Sequence, residues 1–370
     1  MVLIKRSGSR KGGEPSTQQL FIGLITLTVF LYVFAFLNLQ DDDTRTTTPV
    51  LKQRKSFTSA TNSYLQQQQQ HHQHEIHDNT NNLSYYLAQE QSLNFFTDIT
   101  DTDWKIQQAI YHGSQPNHNR LTPRMRKVMS ENPAKFWADN YEPELTCAHQ
   151  RRLGGLGDGG KWVCDPRRIV ASADEQSYTS GKTRCVVYSV GSNGNAHFEQ
   201  SVNDALKEQC SNQLEIHTFD LKNWNKRNGN FGDRVKEAGG TFHHWGITTK
   251  AGLDFNATDY FLPKTYREST FKSFGQTFVE LGHTNRVIDI LKIDCEGCEW
   301  QSLEGWLSDW NEHGVTVRQL LLELHDAPPD RTIAFFDLLR EKNYVITHKE
   351  NTGSTVEYAF LKLAPSFFQK

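Results

Sequence analysis

Hydrophobic and polar positions divide the chain into three zones. From Leu20 to Leu39 the sequence "LFIGLITLTVFLYVFAFLNL" carries no charge, and roughly 20 apolar residues at helical rise match the hydrocarbon core of a bilayer. The next stretch, to about residue 122, is rich in Gln, Asn, Thr and His and contains "QQQQQHHQH" (Gln66 to His74). Such a composition buries too little apolar surface to offset the entropy of ordering, although scattered apolar residues fit a short helix from Trp104 to Ile110. Beyond Pro123, β-branched apolar runs alternate with amphipathic stretches, the pattern of an α/β domain with a largely parallel sheet.

Within that third zone, "RCVVYSV" (Arg184 to Val190) predicts a first strand and Phe198 to Cys210 a helix. "LEIHTFD" (Leu214 to Asp220) predicts a second strand, with a helix before Gly239, and "TFHHWGI" (Thr241 to Ile247) a third. "VIDILKID" (Val287 to Asp294) reads as a fourth, followed by Trp300, Leu303, Trp306, Leu307 and Trp310 at helical spacing. "RQLLLELH" (Arg318 to His325) gives a fifth, Thr332 to Lys342 a helix, and "YVITHKE" with "EYAFLKL" a closing antiparallel hairpin.

Charge adds a direction. Lys5, Arg6, Arg10 and Lys11 precede the apolar segment and Asp41, Asp42 and Asp43 follow it, and the basic flank of a membrane helix stays cytosolic. The reading is a type II signal anchor: a basic cytosolic tail (1–19), a transmembrane helix (20–39), a low-complexity stem (40–122) and a domain (123–370) in the secretory lumen, with the Golgi as the expected station. A buried core helix is disfavoured by the polar flanks, and a cleaved signal peptide by the length of the apolar run and the lack of an Ala-x-Ala site. Asn82 and Asn256 begin N-glycosylation tripeptides that suit this topology. A net charge of −3 gives no support to a nucleic-acid partner. His71, His72, His74 and His77 belong to a solvated tract before they suggest a metal.

Open α/β sheets bind ligands where strand order reverses, at the carboxyl ends of the strands. Gly191 and Gly194, after the first strand, permit a tight turn and close approach of backbone to a ligand. Asp220 ends the second strand, where an acid accepts hydrogen bonds from ribose hydroxyls. No G-x-G-x-x-G fingerprint stands in the turn between the first strand and its helix, so a nucleoside cofactor without a pyrophosphate suits these ends better than a dinucleotide.

"VYSVGSNGNAHFEQSV", "LEIHTFD", "HHWGI" and "ILKIDCEGCEW", preceded by "CAHQRRLGGLGDGGKWVCDP", resemble in order and spacing the membrane-anchored class I S-adenosylmethionine methyltransferases of the methyltransferase-like protein twenty-four group, relatives of the FkbM-like O-methyltransferases. The resemblance runs from about Leu121 to Lys370. It implies a Rossmann-like sheet with S-adenosylmethionine as cofactor, Gly191, Ser192, Asn193 and Gly194 beside its methionine and ribose portions, and Asp220 on the ribose hydroxyls. The acid that usually opens the Gly-rich motif is replaced by Ser189 and the usual final Gly by Asn195; Glu199, one turn into the helix, is the candidate for the missing carboxylate. The loop around "LGGLGDGGKW" is implied to lie against the cofactor pocket, with Asp158 and Lys161 available for polar contacts.

In "LKIDCEGCEW" the strand ends at Asp294, with Cys295 and Glu296 on the turn that leaves it. Asp294, Glu296 and, from the neighbouring strand, His325 are candidates to take a proton from an attacking hydroxyl, with Glu323 beside them raising a carboxylate pKa. The same groups could hold a divalent cation or merely cap the next helix. Cys295-x-x-Cys298 lacks the second pair that a structural zinc site needs. A redox pair is the other reading, but an oxidising compartment favours structural disulfides, among which Cys147 with Cys164 would clasp the Gly-rich loop.

The expected activity is transfer of a methyl group from S-adenosylmethionine to oxygen, with a small-molecule or glycan hydroxyl as acceptor and the membrane, through one helix, as the other partner. A type II glycosyltransferase using a metal and a sugar nucleotide, and an inactive methyltransferase fold serving as an interaction module, are the alternatives.

Overall fold

A computed structural model describes residues 84–114, 123–156, 159–169, 185–225, 229–249, 270–325, 328–352 and 355–369. The anchor at 20–39, the glycosylation asparagines Asn82 and Asn256, the His-rich tract and Asp158 lie outside the described residues. Among the described residues no helix is long and apolar enough to cross a membrane.

Helices α1 (Tyr86–Gln91), α2 (Asp101–Ser114), α3 (Pro123–Glu131) and α4 (Pro133–Asp139) lead into a short antiparallel pair, β1 (Arg151–Leu153) and β2 (Lys161–Val163). Then come β3 (Cys185–Val190), α5 (His197–Leu206), β4 (Leu214–Phe219), the small pair β5 (Trp224–Asn225) and β6 (Gly229–Asn230), α6 (Phe231–Glu237), β7 (Thr241–His243) and β8 (Gly246–Thr248). The chain closes with β9 (Phe271–Ser273), α7 (Phe274–Leu281), β10 (Val287–Ile293), α8 (Glu299–Glu312), β11 (Thr316–His325), α9 (Pro329–Glu341), β12 (Tyr344–Asn351) and β13 (Thr355–Lys362).

Seven strands form the central sheet in the order β12-β13-β11-β10-β3-β4-β7. Pairs within β11-β10-β3-β4-β7 are parallel, while β13 is antiparallel to both β11 and β12. The predicted hairpin is therefore present, with β13 inserted between β11 and β12. Chain order runs outward from β3 in one direction and from β10 in the other, so the switch point lies between these two strands.

Alternation along the strands sends side chains to two apolar layers. Tyr188, Leu320, Leu322 and Phe360 join Phe274, Phe278, Trp306, Trp310 and Phe336 on one face. Val187, Leu321, Ala359 and Leu361 join Phe95, Trp104, Phe198 and Val202 on the other. Each large apolar side chain so buried contributes about 1.5–3 kcal/mol. Helix α7 is closed at both ends: Ser273 and Gln276 make a reciprocal capping box, and Gly282 takes the left-handed conformation at its C-terminus.

Two expectations shift. The stem boundary at residue 122 is too late, because α1 and α2 are part of the fold. Trp104 is fully buried, its indole N–H donates to Gln91 Oε1 at 2.7 Å, and its ring meets Phe96 and Phe367. "TFHHWGI" is two strands: a tight turn in which Trp245 N–H donates to His243 O takes β8 out of the main sheet to pair with β9.

Candidate active site

Register across the sheet puts five positions level at its carboxyl edge. Val190 pairs with Phe219 and with Ile293, Ile293 with Leu322, and Glu323 with Glu357. The next residues along the parallel strands are Asp220, Gly191, Asp294 and Glu323. Asp294 N–H donates to Val190 O at 3.0 Å, so the ends of β3 and β10 are in direct contact. A Cβ on Gly191 would stand 1.8 Å from Asp294 O, and its φ is 72°. Glycine is required here by the approach of the neighbouring strand end, a cause that the motif alone does not reveal.

The turn after β3 is held from two sides. Ser192 N–H donates to Asp220 Oδ2 and Lys222 N–H to Asp220 Oδ1, both at 2.8 Å, and the remaining lone pairs of that carboxylate stay available to accept. Glu199 lies fully buried beneath the turn. Its Oε1 accepts from Ser192 Oγ and Thr218 Oγ1, and its Oε2 has no hydrogen-bond partner. Ser189 is also tied to the turn through Ser192 Oγ. Asn193 and Gly194 both have positive φ; Asn193 is exposed and accepts from Lys222 Nζ, and Gly194 is buried. The Gly-rich segment after β1 packs on the start of α5: ideal Cβ positions at Gly154, Gly155 and Gly159 fall within 3.4 to 3.9 Å of Phe198, His197 and Asn195.

Lys161 sits elsewhere than the cofactor-loop contact expected for it. Strand β2 turns it inward, and its side chain is 1% exposed. Its ammonium lies 2.6 Å from Glu357 Oε1, 3.1 Å from Glu323 Oε2 and 3.8 Å from Asp294 Oδ2. Glu323 and Glu357 are direct cross-strand partners, a like-charge pairing that is destabilising by itself, and Lys161 compensates it. Burial raises Glu357 to about 8 against the pull of Lys161. Burial likewise raises Asp294, to about 6, opposed by Lys292 and Lys161 and assisted by Glu323. For Glu323 burial is outweighed by the charge and hydrogen bond of Lys161, which hold it down at about 2.

His325 departs from its expected role as a base. Burial disfavours its charged form, but Glu299, then Asp294 and Glu323, outweigh that and raise it to about 9, so near neutral pH it is an imidazolium. Its Nδ1 is 3.3 Å from the fully buried Glu299 and its Nε2 3.4 Å from Glu296. Glu296 is 82% exposed on a left-handed turn with φ 57°, which leaves its carboxylate solvated and gives the part of buried base to Asp294.

Asp294, Glu323 and His325 bring ligand atoms within 4.8 Å of one another. A divalent cation does not fit there, because Lys161 already supplies the positive charge between the carboxylates and His325 is itself cationic. All six cysteines are paired: Cys147 with Cys164, as expected, and Cys185 with Cys210 and Cys295 with Cys298.

Sequence reasoning passed over Glu299, Glu357 and Lys292, whose Nζ donates to Gly191 O. Glu357 was signalled: it shares the inward face of "TVEYAFLK" with Ala359 and Leu361, and an acid on an apolar face needs a partner.

A family model described as a methyltransferase domain matches residues 86–362. Among solved structures the chain is similar to a protein of Listeria monocytogenes serotype 4b described as uncharacterized, at 14% identity over 52% of this chain and 66% of that one, with a TM-score of 0.28. It is similar to methyltransferase FkbM from Methylobacillus flagellatus KT at 13% identity over 53% and 50%, TM-score 0.26. The putative methyltransferase yhhF of Escherichia coli gives 8% identity over 58% and 99%, TM-score 0.23. The chain thus spans 66% and 50% of the lengths of the first two. A comparison with curated proteins finds no match.

Proposed function

The chain belongs to the methyltransferase-domain family, and from that premise we propose that it uses S-adenosylmethionine to methylate an oxygen nucleophile, with a glycan hydroxyl in the secretory lumen as the acceptor class. The observation that carries the reading is the convergence of the Gly191–Gly194 turn, Asp220 and Asp294 at the carboxyl ends of three adjacent parallel strands, beside the reversal of strand order. The orphaned buried Oε2 of Glu199 under the turn and the spare lone pairs of Asp220 fit a polar nucleoside cofactor.

When bound, the cofactor supplies an electrophilic methyl group on a sulfonium. Asp220 would accept from the ribose hydroxyls, and Glu199 would position the turn through Ser192 and Thr218. Asp294, raised to about 6, is mostly ionised near neutral pH and close enough to it to receive a proton from the acceptor hydroxyl. Lys161 and Lys292 keep that carboxylate from staying protonated, and the His325 imidazolium lies 3.3 Å from Glu299 at the start of α8. Alignment of the hydroxyl by these fixed groups supplies most of the rate. The lumenal site, with 20–39 as the anchor, follows from the charge asymmetry of the N-terminal segment.

The test is incubation of the full-length protein with radiolabelled S-adenosylmethionine and deglycosylated or native glycoprotein glycans. Label in an alkali-stable ether on released glycans supports the reading. Label only in protein carboxyl esters or amines, or none, overturns it.

A further inference from the structure

At the far end of β4 from Asp220, five side chains form a second polar cluster inside the apolar layer. Glu215 and His217, two residues apart on one strand, face the same side, and Tyr188 stands opposite His217 in register. His283 enters from the loop after α7, where Gly282 turns the chain and His283 N–H donates to Phe278 O at 2.8 Å. The two imidazoles present Nε2 to a single carboxylate oxygen: His217 lies 3.1 Å and His283 2.9 Å from Glu215 Oε2. Each outer nitrogen is engaged as well, His283 Nδ1 with the Tyr188 hydroxyl at 2.7 Å and His217 Nδ1 with His243 Nε2 at 2.9 Å.

We propose that Glu215, His217 and His283 bind one divalent transition-metal ion, with zinc as the preferred occupant, independently of the candidate active site. Two imidazoles and one carboxylate form a recognised zinc donor set, and bonds of about 2.0–2.1 Å around a tetrahedral ion bring ligand atoms to about 3.3 Å from each other, close to the two imidazole–carboxylate distances here, with all three ligand atoms within 4.8 Å of one another. Fixed outer nitrogens are what orient imidazole ligands in such sites. His243 Nε2, 2.9 Å from His217 Nδ1, is placed to accept from His217 Nδ1–H in the tautomer that leaves His217 Nε2 free for a metal. His283 is 3% and His217 11% exposed while Glu215 is 35% exposed, which leaves the fourth position open to water through the Glu215 side. The ion ties β4 to the loop after α7.

The test uses the full-length protein, stripped with a chelator and titrated with cobalt(II) and then zinc. Visible absorption reads tetrahedral cobalt, and elemental analysis reads zinc retained after gel filtration. Three backgrounds separate the sources: the parent, a form with His71, His72, His74 and His77 replaced by Gln, and Asp294→Asn. The proposal expects one tight equivalent in all three and its loss in Glu215→Gln and His283→Gln. Should those variants not fold, zinc-edge X-ray absorption of the stem-substituted protein decides, with two imidazoles in the first shell as the expected result. No tight equivalent in the stem-substituted form, its loss in Asp294→Asn, or a first shell without two imidazoles overturns the proposal.

Discussion

Replacing Lys161 by Met keeps the apolar stem and removes the ammonium from among three buried carboxylates. At an effective dielectric constant of about 20, unit charges separated by the distances to Glu323 and Asp294 attract by about 5 and 4 kcal/mol, while Glu357, raised to about 8, is mostly protonated near neutral pH and contributes a hydrogen bond more than a charge. Much of this gross attraction offsets the desolvation of the ammonium, and removing one partner of a buried ion pair has a net cost of about 3–5 kcal/mol. The deficit must also depend on pH in a defined direction. Without Lys161, Glu323 loses the interaction that holds it low, and burial raises its folded pKa above the unfolded value. A carboxyl that is protonated when folded and ionised when unfolded lowers stability by about 1.4 kcal/mol per pH unit above the ordinary carboxylate range. Urea unfolding of parent and Lys161→Met at about pH 5 and pH 8 measures this, with an expected deficit of about 3–5 kcal/mol at the higher pH and at least about 2 kcal/mol less at the lower. A deficit below about 1 kcal/mol, or one equal at both pH values, would refute the cage.

Other outcomes follow from the same geometry. The folded pKa of His325 is raised to about 9, so its stabilisation is complete below the unfolded value, is lost as pH rises through the folded one, and amounts to about 3 kcal/mol. His325→Gln should lower unfolding free energy at about pH 6 and converge on the parent above about pH 9, and parallel curves across that window would contradict the charge assignment. Gly191→Ala places a Cβ against Asp294 O at a left-handed position and should cost several-fold in soluble yield and more than about 2 kcal/mol in stability, read by thermal unfolding. Trp104→Ala, which empties a fully buried site in α2, should cost about 3–5 kcal/mol; an unchanged melting temperature would place α2 back in the stem.

Much of this architecture was legible because periodicity and turn chemistry coincide. The runs around Val187, Ile216, Ile290 and Leu321 are β-branched or leucine-rich and bounded by Gly or Asp, and each forms a central strand with its end within a residue or two of expectation. Strand ends then locate Gly191, Asp220, Asp294 and His325 at one edge without any knowledge of packing. What could not be read is pairing across distance. Glu357 meets Lys161 only because β13 inserts beside β11 and β2 folds over both, 196 residues apart in sequence. The charge state of His325 depends on Glu299, a residue whose sequence position suggests only the first turn of a helix. Glu296 and Asp294 look equivalent in "DCEG", and only the left-handed turn separates a solvated acid from a buried one. For α1 and α2 the polar composition of the surrounding stem outweighed a usable signal, the cluster of Phe95, Phe96 and Trp104.

The central claim, that the carboxyl ends of β3, β4 and β10 form the cofactor site, is tested most directly by calorimetric titration of the full-length protein with S-adenosylhomocysteine. The account predicts a single saturable site in the parent, weakened at least about tenfold by Asp220→Ala through loss of its charge-assisted hydrogen bonds, with near-parental binding in Glu296→Gln. Absence of binding by the folded parent, or equal affinity in Asp220→Ala, would contradict it.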